Sequence, residues 1–115
     1  MNKRDTKREK KRIQVSYGNA ETMRTAFAED ISPVGMFIKT ANVCLPNSKI
    51  RIKFSLNKDD LFIEVDACVM WAKKVPANML HVAKKGGMGV RFLQFHTGKE
   101  IFERYFEELA AKQNS

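Results

Sequence analysis

Two short stretches hold residues whose types and spacing could together grip an anionic, hydrogen-bonding ligand. Arg8 and Arg12 stand four apart in Arg8-Glu9-Lys10-Lys11-Arg12, and Asp30, Ser32 and Gly35 share the stretch Asp30-Ile31-Ser32-Pro33-Val34-Gly35. A guanidinium is a planar fork of donors that takes two phosphate oxygens, or guanine O6 and N7, with paired bonds, and it also stacks on a purine face. Asp30 offers an acceptor for guanine N1 and N2, donors found together only on that base's Watson–Crick edge. Ser32 adds a hydroxyl, and Gly35 lets backbone approach a ligand closely. Forked cations with one acidic acceptor suit a guanine nucleotide.

The charge distribution points the same way. Of the 21 Lys and Arg, seven fall in the first twelve residues, with only Asp5 and Glu9 among the 13 acids, so +5 of the overall +8 belongs to residues 1–12. Such an arm seeks an anion, whereas the rest of the chain is nearly balanced. The 115 residues make one domain, divided here into a flexible basic arm (1–12) and a folded unit (13–112).

Several function classes fall away. The longest apolar runs are a few residues, far short of the roughly 20 a membrane span needs, and the basic N-terminus lacks the apolar stretch of a signal peptide, so a cytoplasmic location is expected. No P-loop, Gly-x-Ser-x-Gly elbow, His-Glu-x-x-His or dinucleotide fingerprint is present, which argues against an enzyme. Cys44 and Cys68 are read as free, partly buried thiols, and His81 and His96 lack a second ligand at metal spacing, so no cofactor or metal is expected.

The residues around the two stretches read as strands. Ile13, Val15 and Tyr17 alternate with polar neighbours directly after the basic run, Thr22 to Glu29 returns, and Met36 to Thr40 resumes beyond the 30–35 bend. An antiparallel return brings Arg12 and Asp30 to one end of the sheet. Ile50, Ile52, Phe54 and Leu56 alternate with Lys49, Arg51, Lys53 and Ser55. Leu61, Ile63, Val65, Ala67, Val69 and Trp71 are then expected inward, which favours Trp71 as a core residue over a base-stacking one. A short strand at Met79–Ala83 and a last one from Gly89 complete six to seven strands, a mostly β chain forming a small antiparallel barrel. Thr97 and Glu100 have capping-box spacing, and the helix after them carries Ile101, Phe102, Tyr105, Phe106 and Leu109 on one stripe, to lie across the barrel.

At this point the sequence resembles the PilZ domain family, bacterial receptors for the second messenger cyclic di-GMP. The likeness rests on Arg8-x-x-x-Arg12 before a strand and Asp30-x-Ser32-x-x-Gly35 after the next, supported by Val69-Met70-Trp71, Gly89-Val90-Arg91-Phe92 and the C-terminal helix, and it covers residues 7 to about 110. Carried over position by position, it implies that Arg8 and Arg12 hold guanine and phosphate, that Asp30 and Ser32 read a guanine edge, and that Gly35 shapes the turn. Lys7 stands where this family's residue bears on whether one ligand or a stacked pair is bound. Arg4 and Arg8 form an overlapping pair, but Arg12 abuts the strand as the second family arginine does. Seventeen residues separate Arg12 from Asp30, slightly short for the family, which trims the first hairpin.

The resemblance implies a ligand-operated module whose arm closes over cyclic di-GMP and signals to a downstream protein partner in motility, adhesion or exopolysaccharide control. Two other readings stay open on the residues alone. One is a small barrel that binds nucleic acid through the Lys49, Arg51, Lys53 face, although no aromatic residues interleave those cations. The other is a PilZ-like adaptor that contacts only proteins.

Overall fold

In the computed structural model, residues 12–19, 21–56, 61–74 and 86–113 are described. Among the described residues six strands precede one helix: β1 (Ile13–Gly18), β2 (Met23–Ser32), β3 (Gly35–Lys39), β4 (Lys49–Phe54), β5 (Ile63–Lys73), β6 (Gly87–Thr97) and α1 (Lys99–Gln113). The strand expected at Met79–Ala83 lies outside the described residues, as do Lys7 and Arg8.

Every pairing is antiparallel, and β1-β2-β3-β6-β5-β4 closes on itself because β4 also pairs with β1. Closure removes the sheet's edges, so among the described residues no strand is left open to edge-to-edge association. Period-two alternation then fixes the interior. Ile13, Val15 and Tyr17 from β1, Ile50, Ile52 and Phe54 from β4, and Ile63, Val65, Ala67 and Val69 from β5 are all buried, as their spacing requires. Tyr17 is buried with its hydroxyl satisfied, 2.8 Å from Thr40 Oγ1 and donating to the Asn42 carbonyl at 2.8 Å.

A barrel of this size is open at its ends, and α1 plugs the one where β4 finishes and β5 begins. Phe102 and Phe106 are buried there. The Phe102 ring lies 6.3 Å from Phe54, 5.4 Å from Phe92 and 5.0 Å from Phe95, centroid to centroid. Each such side chain stabilises the fold by roughly 1.5–3 kcal/mol. The helix starts differently from the expected capping box: the Gly98 carbonyl accepts the first helical bond from Phe102 N, while the Thr97 hydroxyl donates to the Phe62 carbonyl at 3.5 Å and so ties the helix to β5's approach.

Candidate functional site

β1 begins directly after the basic run, and the Ile13–Ala28 pairing places Arg12 beside the end of β2 that continues through Asp30 to Ser32. Arg12 and the 30–35 stretch therefore occupy one end of the barrel, as the antiparallel return required. The Arg12 guanidinium lies 4.2 Å from the Phe27 ring centroid, a cation–π contact that holds its fork against the outer face of the sheet. Sequence alternation singled out neither Phe27 nor this contact, although an exposed aromatic opposite the buried Ala28 was the signal available.

Asp30 owes its position to a break in the ladder. The register shifts between Glu29 and Ser32, and Asp30 takes a φ of 56°, a left-handed conformation that Asp tolerates better than most residues. The bulge takes Asp30 out of strict alternation while keeping Ile31 fully buried. Ser32 is 1% exposed. Its hydroxyl donates to the Gly35 carbonyl and accepts from the Val34 and Gly35 amides, each at 3.3 Å, so its hydrogen bonds close the turn rather than face outward. Gly35 is required for a different reason: a Cβ there would sit 2.1 Å from the Val90 carbonyl oxygen, where β3 runs against β6 opposite Arg91.

Beyond this turn the outer face is aromatic. Trp71 was expected inward, but the β5–β6 register shifts between Val69 and Trp71, and the indole comes out 50% exposed. It stacks on Phe37 with centroids 5.5 Å apart and planes 21° from parallel, and it lies across Gly89, where a Cβ would be 2.3 Å from Nε1. Phe37 stands directly opposite Glu29 on β2, so the slab adjoins the bulge that carries Asp30. Leu61, also expected inward, precedes β5 and is exposed.

The Lys49, Arg51, Lys53 face is not a free cationic surface. Arg51 Nε donates to Asp66 Oδ1 at 2.7 Å, Lys49 Nζ lies 3.6 Å from Asp66 Oδ2, and Lys53 Nζ is 3.9 Å from Glu64. His96 Nε2 reaches Asp66 Oδ2 at 2.9 Å, which gives this histidine a structural partner. Burial pushes the Asp66 carboxyl up, but hydrogen bonds from His96 and Arg51, with the charges of both, outweigh it and hold the group at about 2, down from 3.8. With the folded-state value depressed, this contribution to stability is complete above about pH 4 and fades as the pH falls towards 2. Thermal unfolding followed from pH 5 to pH 2 should show that loss. Asp66→Asn should be about 1 kcal/mol less stable at neutral pH and flatten the acid limb.

The two cysteines are free and half-buried, and burial pushes the Cys44 thiol up, a setting for a packing residue rather than a nucleophile. Among the described residues no three of His, Cys, Asp and Glu gather as metal ligands would.

Comparison with known proteins adds a family. The model of the PilZ domain matches residues 2–108. Among solved structures, the inhibitor of motility MotI/DgrA of Bacillus subtilis superposes with a TM-score of 0.74 at 16% identity, over 100% of this chain and 55% of that one. The chain thus spans about half the length of that protein. The PilZ domain of YcgR from Escherichia coli, solved with c-di-GMP, gives a TM-score of 0.57 at 11% identity, covering 94% of this chain and 88% of that one. At these identities the likeness speaks for the fold. No curated protein sequence matches the chain.

Proposed function

The chain belongs to the PilZ domain family, and from that premise we propose that it is a receptor for cyclic di-GMP. The observation that carries the reading is the register of β1, β2 and β3, by which Arg12 and the Asp30–Gly35 turn share one end of the barrel beside an outward aromatic slab. Family membership makes a cyclic di-GMP receptor the natural role, and the residue chemistry agrees with it.

In this reading Arg8 and Arg12 take guanine and phosphate oxygens with their forks, and Asp30 accepts from a guanine edge. Ser32 contributes through the turn it closes, and Gly35 through the close β3–β6 approach that sets the turn against Arg91. Lys7 bears on whether one nucleotide or a stacked pair is held. The Phe37–Trp71 slab offers a base a flat apolar surface, worth roughly 1–3 kcal/mol per stacked base. On binding, the basic segment closes over the nucleotide, and the changed surface is what a downstream protein reads, in motility, adhesion or exopolysaccharide control. Closing it costs roughly 1–2 kcal/mol per residue ordered. That opposes bidentate pairs of roughly 1–3 kcal/mol each, so affinity near micromolar, about 8 kcal/mol, is expected. The protein acts as a cytoplasmic, non-enzymatic sensor.

Thermal unfolding with nucleotide tests the reading. At one hundred times the dissociation constant, cyclic di-GMP should add about 2.7 kcal/mol of stability. For a domain near this size that raises Tm by about 10 °C or more. GTP at the same concentration should leave Tm where it was. An unmoved Tm with cyclic di-GMP would contradict the proposal.

A further inference from the structure

A groove of about 550 Å³ runs between α1 and the β2–β3 turn, floored by Phe95, Phe102 and Phe106 and rimmed by Pro33, Glu103 and Glu107. Glu103 and Glu107 are exposed, one helical turn apart on the same face, a like-charge spacing that disfavours the helix unless a cation lies between them. Among the described residues neither has an ion-pair partner. The groove therefore combines an apolar floor with two unneutralised carboxylates, and it abuts the turn that follows Ser32.

We propose that this groove is the docking site of the chain's own basic segment, residues 1–11. Three observations select that occupant. The segment enters the barrel through Arg12, beside the end of β2 that runs on to Pro33 at the groove's rim. Ala28 to Pro33 spans at most about 16 Å at roughly 3.3 Å per residue, less where the bulge and turn shorten it, and so well within the ~36 Å that eleven residues can span. The segment carries Lys3, Arg4, Lys7, Arg8, Lys10 and Lys11 against Asp5 and Glu9. Long basic side chains lay their aliphatic stems on apolar surface while their heads reach carboxylates, which matches a phenylalanine floor with a glutamate rim.

Docking and nucleotide capture then compete for one segment. Arg8 cannot sit against Glu103 or Glu107 while its fork holds a nucleotide. Binding therefore uncovers the groove, which supplies the relay with a defined surface. The docking stands apart from the receptor reading, whereas its release by nucleotide rests on it.

Zero-length carbodiimide cross-linking of the full chain, mapped by mass spectrometry without nucleotide, tests the docking. Amide links from Lys7, Lys10 or Lys11 to Glu103 or Glu107 within one chain are expected. Raising the salt to 0.5 M should cut the yield about tenfold. The Glu103→Gln/Glu107→Gln variant, altered only at exposed positions, should not divert the links to Glu21, Glu29 or Glu64. Links spread evenly over those acids in the unaltered chain, or links between two chains, would overturn the proposal. Cyclic di-GMP should abolish the links. If calorimetry shows nucleotide bound while the links persist, the competition fails; if no nucleotide binds while the links form, the receptor reading fails and the docking stands.

Discussion

Arg12→Ala is expected to weaken cyclic di-GMP binding by roughly 10-fold to nearly 1,000-fold while leaving the fold intact. Two losses add: a bidentate contact of roughly 1–3 kcal/mol and the stacking contribution of a guanidinium, roughly 0.5–1 kcal/mol. The side chain is exposed and, among the described residues, lies over the Phe27 ring at the sheet's outer face, so Tm without nucleotide should hardly move. Arg8→Ala should cost a similar factor. Lys3→Ala, lying outside the paired arginines, should cost less than twofold by screening alone. Calorimetric titration of the three variants against unaltered protein separates a built site from diffuse attraction, because equal losses at all three positions would leave only the latter.

Gly35→Ala is the substitution expected to damage the fold most. The new methyl would stand 2.1 Å from the Val90 carbonyl oxygen, a backbone atom that cannot swing aside as a side chain would. Relief requires β3 to part from β6, which breaks the Gly35–Arg91 end of the ladder and the bond from Phe92 N to the Val34 carbonyl at 2.8 Å. Overpacking of this kind costs about 3 kcal/mol or more. For a domain near this length that lowers Tm by about 12 °C or more, read directly from thermal unfolding. The turn closed by Ser32 ends at this residue, so nucleotide binding should fall with stability. A Gly35→Ala protein with unchanged Tm would mean that the two strands are further apart than the structure has them.

Much of this architecture could be read from residue patterning, because a two-residue period on β1, β4 and most of β5 leaves one choice of which face is buried. What escaped were the places where the ladder slips. Trp71 shares the parity of Val69 in the sequence, yet one shifted residue pair on β5 turns it outward onto Phe37, and alternation carries no mark of a bulge. Asp30 sits in another such slip, which is why a motif could point to it and patterning could not say how it is held. Asp66 lies on the wet parity of β5 but is 8% exposed, since Arg51, Lys49 and His96 converge on it from two neighbouring strands. That convergence depends on which strands pair, information that a single segment does not hold. The same cluster weakens the nucleic-acid reading, because Lys49, Arg51 and Lys53 already face Glu64 and Asp66. Thr97 and Glu100 had the spacing of a capping box, but the carbonyl of Phe62, far off in the sequence, took the hydroxyl instead.

In the proposed function this barrel holds cyclic di-GMP specifically, through paired arginines and the Asp30–Gly35 turn. Calorimetric titration with cyclic di-GMP at two salt concentrations, with GTP and a single-stranded oligonucleotide as competitors, tests it most directly. Saturable binding near micromolar, resistant to both competitors and with one or two nucleotides per chain read from the endpoint, is the predicted result. Absence of heat with cyclic di-GMP, together with salt-sensitive binding of the oligonucleotide, would contradict it and assign the basic segment to nucleic acid.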